Sequence, residues 1–266
     1  MSNALIVPPA AFAAVTASGS ASGHDPAYVG NDHMGVVWKS PAGASASLTV
    51  DLGSDMACDT AFLFGCDGAT GAMTLKVEAS TAAQGPGFAP AGWSGAALPF
   101  LAGSEMPVNG RGVALWQAPK GAGPAASRYW RFTIGGLAGG QAVVARIVLG
   151  RDLALERNFG FGAGLGVKDL GSVDWNRLGV MTRKRGRKLR TLGLTYKAIH
   201  KDEVEAAWLP MIEAIGNTEM LAILTDPAAD AMRQRRFYFG PCFGDLSAIW
   251  QRADGFTAGL NLVSVI

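Results

Sequence analysis

GNDHMGVVWKSPAGASASLTVDLG, residues 30–53, passes from a polar turn through a lone tryptophan and a small-residue loop into a strand that ends Asp-Leu-Gly. Two readings compete for it: a ligand-binding loop beside Trp38, or the frame of a β-sandwich that encloses Trp38. Because Trp38 begins a strand-like segment, its expected place is inside. Working outward, short apolar runs separated by turn residues recur: TAFLFG at 60–65, MTLKVEAS at 73–80, GVALWQA at 112–118, RYWRFTI at 128–134 and AVVARIVLG at 142–150. Each has strand length, and several alternate, as Leu75, Val77 and Ala79 do against Lys76 and Glu78. The intervening stretch 84–112 is too rich in Gly and Pro for a regular element and is expected to be a long surface excursion.

Composition agrees with a mainly β chain. Of 266 residues only 17% are charged, while 36 are Gly and 13 are Pro, a turn-rich profile; 49% hydrophobic residues can fill more than one core, so two domains are expected. Residues 1–150 hold 7 Lys/Arg against 8 Asp/Glu, and residues 151–266 hold 16 against 13, so neither half carries a nucleic-acid footprint. Cys58, Cys66 and Cys242 lack metal spacing and read as reduced thiols, small buried hydrophobes rather than a Cys58–Cys66 bridge. The N-terminus has no basic n-region and its apolar stretch is broken by Pro8 and Pro9; a soluble chain with no cleaved signal and no membrane insertion is expected.

After Gly150 the texture changes to more charge and regularly spaced glycines, which puts the expected domains at 1–150 and 151–266. KLRTLGLTYKAI alternates as a long strand, with Arg190, Leu192, Leu194, Tyr196 and Ala198 on one face. A helix follows over 202–215, with Asp202 and Glu205 as a capping box, an apolar stripe of Val204, Trp208, Met211, Ile212 and Ile215, a stop at Gly216 and a bend at Pro210. Strands resume to the end, so this half reads β, one helix, β.

The glycine cluster GFGAGLG at 160–166 fits neither a Walker A frame nor G-x-G-x-x-G and reads as a loop or tightly packed strand. The basic run at 183–190 is a hairpin tip: Arg183, Lys184, Arg185, Arg187 and Lys188 are the candidate assembly residues, facing an acidic partner. No Ser, Cys or His stands in a nucleophile setting, nothing selects a carboxylate pair, and no catalytic residue or cofactor is expected. Trp93, in the Gly/Pro-rich excursion, is the candidate sugar-stacking residue, and Asp32 and His33 of the polar turn before Trp38 are further candidate glycan ligands. Asp25, Asn31 and Asp32 offer loop oxygens for Ca²⁺, but as polar turn residues they predict no metal site.

Residues 15–53, from VTASGSASGHDPAYVGNDHMGVVWKS to the strand ending in Asp-Leu-Gly, resemble the opening of discoidin or coagulation-factor type C domains, and RYWRFTI with ARIVLG is similar to their closing strands. The resemblance implies a galactose-binding-like jelly-roll β-sandwich over about residues 4–150, with Trp38 as framework and binding through variable loops. The second half, from GRDLALERNFG through the long strand and helix to GLNLVSVI, resembles the β-barrel with one inserted helix of tail-tube and distal-tail proteins of long-tailed bacteriophages, by element order rather than by motif. Together these imply a structural component of a phage or prophage tail tip (baseplate), assembled in the host cytoplasm and carried on the virion. Its partners would be copies of itself and other tail proteins, with host-surface polysaccharide at the first domain. The alternative is a bacterial glycan-binding protein or accessory module of a carbohydrate-active enzyme.

Overall fold

The computed structural model describes residues 3–88, 92–107, 109–153 and 155–266. Leu5–Leu153 with Leu224–Phe237 forms one unit; Ser2–Ala4, Ala154–Ile223 and Tyr238–Ile266 form the other.

In the first unit, alternation sets the layers. Strand Ser45–Met56 buries Ala46, Leu48, Val50 and Leu52, strand Ser127–Gly135 buries Trp130, Phe132 and Ile134, and strand Thr74–Ser80 buries Leu75, Val77 and Ala79. These run antiparallel in the order Ala14–Ala17, Ser45–Met56, Ser127–Gly135, Thr74–Ser80, Trp93–Ser94, with Leu98–Pro99 also on Thr74–Ser80. A second antiparallel sheet orders Arg146–Gly150, Thr60–Asp67, Arg111–Gln117. Leu48, Val77 and Phe132 of the first sheet and Leu63, Trp116 and Ile147 of the second belong to one apolar cluster, which makes the unit a β-sandwich.

Trp38 is fully buried in that cluster, pairs with Val144 in a short ribbon, and donates its indole N–H to Ser20 Oγ at 3.0 Å. The Asp-Leu-Gly signature has its own chemistry. Asp51 Oδ1 accepts the Gly53 N–H at 2.7 Å, with Gly53 at φ +81°, and the carboxylate is gripped by Arg128 through Nε (2.7 Å) and Nη2 (2.9 Å). The Arg128 guanidinium therefore holds the Asp51 carboxyl below the usual range.

Strand Thr60–Asp67 is buried from Thr60 to Cys66 without alternation, the mark of a strand covered on both faces. Ala61, Leu63 and Cys66 face the sandwich core, while the rings of Phe62 and Phe64 meet Phe237 edge-on, at 5.3 and 6.1 Å between centroids. The cover is the returning segment Leu224–Phe237. Its Gln234 is buried, accepts the Val113 N–H at 2.9 Å and donates to Gly103 O, and Arg233 donates to Ala102 O. A contiguous second domain from residue 151 does not describe this chain path. The excursion 84–112 is also more ordered than its composition suggests: Trp93–Ser94 and Leu98–Pro99 lie along the edge of Thr74–Ser80, although Ala89, Pro90, Ala91 and Val108 of it are outside the described residues.

The second unit contains an antiparallel sheet ordered Gly164–Asp169, Lys188–His200, Gly255–Ser264, Ser247–Arg252. Its outer strands have no further strand partner among the described residues, so the expected closed β-barrel is absent. Ser172–Trp175 with Met181–Lys184 forms a separate two-stranded ribbon. Strand Lys188–His200 buries Leu192, Leu194 and Tyr196 as its alternation predicts, but a bulge between Lys197 and Ile199 places Ala198 at φ +57° and turns Ile199, not Ala198, into the core.

The helix spans Lys201–Glu203, Val204–Trp208 and Leu209–Ile215, its middle part a π turn. Pro210 has no N–H to donate to the preceding turn and its ring needs room there, so widening just before it answers the constraint expected to bend the helix. The π turn keeps Val204, Trp208, Met211 and Ile215 on the buried face. The capping box differs from expectation. His200 still has extended backbone and is the N-cap, so Glu203 occupies the third helical position and accepts the His200 N–H at 3.1 Å, in place of the Asp202–Glu205 pair. No described helix is long and apolar enough to cross a membrane.

Candidate functional site

The polar turn of residues 30–36 lies at the end of the second sheet where Asp67 pairs with Arg111, whose Nη1 donates to Met34 O at 2.9 Å. There Asp32 Oδ1 stands 3.3 Å from Nε of the buried Arg146, which also donates to Val29 O and lies 5.5 Å over the Phe12 ring. Burial lowers the Arg146 pKa and the Asp32 charge opposes the shift, so Asp32 serves as counter-ion to a desolvated guanidinium. His33 is exposed, and its N–H is held by Asn31 Oδ1 at 2.8 Å; Asp25 Oδ1 accepts from Ala27 N at 2.7 Å. These oxygens are engaged in turn and ion-pair bonds, and no cluster of metal-ligating side chains occurs among the described residues.

Trp93 lies elsewhere. It pairs with Ala79, donates its indole N–H to Ala122 O at 2.9 Å, and packs edge-on against Trp116 at 5.8 Å. Trp116 is opposite Ala61, whereas the polar turn is beside Asp67, about 20 Å further along the same strand at ~3.3 Å per residue. The structure therefore does not bring Trp93 together with Asp32 and His33. Trp93 is half-buried and tied at its nitrogen, unlike a free-standing platform.

At the Asp67 end the loops enclose a 470 Å³ cleft. Lys39, Asp67, Thr70 and Gln141 line it, together with the buried Met73 and Leu137. A lining that mixes donor and acceptor side chains with apolar ones suits a polyol, although no aromatic ring is among the lining residues. Gly136 builds this cleft. It sits at φ +72°, and a Cβ there would lie 2.4 Å from Ala72 O, so only glycine lets the 136–141 turn close on the 70–73 turn. Sequence reasoning missed these residues. The available signal was two glycine-bearing turns, DGATGA and GGLAGGQ, each directly after a strand-length apolar run.

In the second unit, Arg183, Lys184, Arg185 and Lys188 line one 610 Å³ cleft with Asp169 and Ser172. Arg187 does not join them; its Nη2 donates to Val265 O at 3.1 Å. Gly186 is required where this ribbon crosses the chain at Leu170–Gly171, since a Cβ would lie 2.2 Å from Gly171 N. The ribbon exposes Val173, Trp175 (64%), Leu178 (88%), Val180 and Met181. Register puts Val173, Arg183, Trp175 and Met181 on one face. The cysteines offer no nucleophile: all are free and buried, and desolvation pushes Cys58 up to about 12, Cys242 up to about 11, and Cys66 upward as well.

No family model and no curated protein matches the chain. Among solved structures it is similar to chitosan-binding module 1 of a chitosanase/glucanase from Paenibacillus sp. IK-5, at 13% identity and TM-score 0.42 over 54% of this chain and 98% of that one. The lectin-binding domain of lectinolysin complexed with Lewis b aligns at 15% identity and TM-score 0.39, over 54% and 95%. A Streptococcus pneumoniae fucose-binding module aligns at 13% identity and TM-score 0.38, over 55% and 96%. These neighbours are carbohydrate-binding modules.

Proposed function

We propose that this is a non-catalytic structural protein that assembles through its second unit and displays the first as a glycan-binding sandwich. The observation that carries the reading is the ribbon 172–184, whose apolar side chains stand in solvent. A two-stranded ribbon with one apolar face is marginal alone in water and gains most of its stability when covered, as in an assembly. The assembly we infer is a phage or prophage tail tip, built in the host cytoplasm from copies of this chain and other tail proteins; the second unit's sheet edges, unpaired among the described residues, suit pairing between copies.

The second reading, a glycan-binding protein or accessory module of a carbohydrate-active enzyme, is favoured by the cleft around Lys39, Asp67, Thr70 and Gln141. Electron microscopy of the chain co-expressed with its genomic neighbours separates the two. Rings, or stubs on a tube, are expected; a dispersed monomer that binds one polysaccharide on an array, and loses it in Asp67→Ala with Gln141→Ala, would replace the assembly reading by the second.

A further inference from the structure

Charge in the second unit is segregated along the chain: residues 176–201 contain no Asp or Glu, and residues 202–223 contain no Lys or Arg. The first stretch supplies the ribbon's cations and the second supplies the helix. On the ribbon, Arg177, Arg183, Lys184, Arg185 and Lys188 form no ion pair among the described residues, nor do Asp202, Glu213 and Glu219 at the helix. Unpaired charges of opposite sign thus stand on two elements of one chain.

The patterns match in order as well as in sign. On the ribbon face, Trp175 and Met181 lie between Arg177 at the tip and Arg183 and Arg185 toward the base. On the helix, exposed Ala206, Pro210 and Ala214 recur at four-residue spacing, Ala206 and Pro210 between Asp202 and Glu213 and Ala214 just past Glu213. From Arg177 to Arg183 and Arg185 is about four and six strand positions, or ~13 and ~20 Å, and the ~17 Å of about eleven helical positions from Asp202 to Glu213 falls between them. A cation–apolar–cation face can therefore lie on an acid–small–acid face with its bulky side chains over the small ones.

We infer that the ribbon 172–184 of one chain docks on the helix Lys201–Ile215 of a second copy, its apolar face covering Ala206, Pro210 and Ala214 and its cations meeting Asp202 and Glu213. This rests on the assembly reading and names its contact. Desolvation of Trp175 and Met181 provides adhesion, and the charges set register and direction.

The test is a charge swap in the full chain, followed by sedimentation at 50 and 500 mM salt. Arg183→Glu with Arg185→Glu, and separately Asp202→Lys with Glu213→Lys, are each expected to weaken self-association at least tenfold at low salt, and the combined chain to restore it. A disulfide between Trp175→Cys of one chain and Pro210→Cys of another gives a second readout. Folded variants whose combination does not restore association overturn this contact and leave the assembly reading standing. A wild-type chain that stays monomeric alone but joins particles with its neighbours overturns the second copy as partner. A chain that neither self-associates nor co-assembles ends both. Binding to phosphatidylglycerol vesicles that requires the ribbon, by a chain that remains monomeric, would assign the ribbon to an anionic membrane instead.

Discussion

Single residues in this chain are tuned by what they lose on burial. Asp152 accepts the Ile6 N–H at 2.8 Å and its own N–H donates to Asp59 Oδ1 at 2.8 Å; burial, with the Asp59 charge, pushes its carboxyl up to about 6. A carboxyl raised on folding stabilises most when protonated in both states, and that contribution is lost as pH rises from the unfolded value of about 4 through the folded one. Asp152→Asn keeps the acceptor for Ile6 and removes the titration. Its melting temperature relative to wild type is therefore expected to climb between pH 4 and 7, by on the order of 2 kcal/mol in stability, and a flat difference in a thermal-melt series would reject the assignment. Asp51 and Glu78, held low by Arg128 and Arg131, act in a separate window: their stabilisation is present above the unfolded value and is lost as pH falls below it. Ala198 shows the opposite economy, a β-carbon forced to φ +57° at a bulge. Ala198→Gly should raise stability by about 1 kcal/mol, read by urea denaturation, because the left-handed penalty it removes exceeds the added freedom of the unfolded chain. Trp38 was legible in sequence because a tryptophan opening a strand has one economical place. The bulge left only a slight trace in sequence, the two successive apolar letters Ala198-Ile199 where the alternation asks for one, and shows itself in the backbone register.

At the scale of elements, legibility followed burial. The helix stripe was readable because Val204, Trp208, Met211 and Ile215 share one face, but the start of the helix was displaced by the strand that feeds it, which delivers His200 in extended form and selects Glu203. The ribbon 172–184 is the reverse case: its charges suggested a solvated tip, while Val173, Trp175 and Met181, on the same face as Arg183, gave no periodic signal strong enough to show an apolar face in water. The two elements should respond differently to mutation. Leu178→Ser with Val180→Ser is expected to change the stability of the isolated chain by less than ~0.5 kcal/mol, as for other exposed positions, while Trp208→Ala, at a fully buried ring, should cost about 3–5 kcal/mol. Chemical denaturation of both variants checks the contrast. If the serine pair destabilised the isolated chain by several kcal/mol, the tip would have to be packed within one copy rather than waiting for another.

For the molecule as a whole, the chain path matters more than the element inventory. Texture placed a boundary near residue 150, and a change of charge does occur there, but texture cannot show that Leu224–Phe237 returns to finish the first unit. The clue lay in TAFLFGC: a strand apolar on every residue needs a cover on both faces, and the 1–150 stretch has sandwich partners for only one. Phe237 provides the second cover against Phe62 and Phe64, and Gln234 satisfies Val113 N–H and Gly103 O beneath it. Two outcomes follow from this interleaving. Phe237→Ala in the full chain should cost about 3–5 kcal/mol, a loss felt by the sandwich although the residue lies far beyond it in sequence. A fragment ending at residue 153 should expose the two phenylalanines and leave the Val113 N–H without its acceptor, so it is expected to bind a hydrophobic dye and aggregate where the full chain does not. A soluble, cooperatively melting fragment with no dye binding would show instead that the sandwich is complete without the returning segment, and the first unit could then be treated as a detachable binding module.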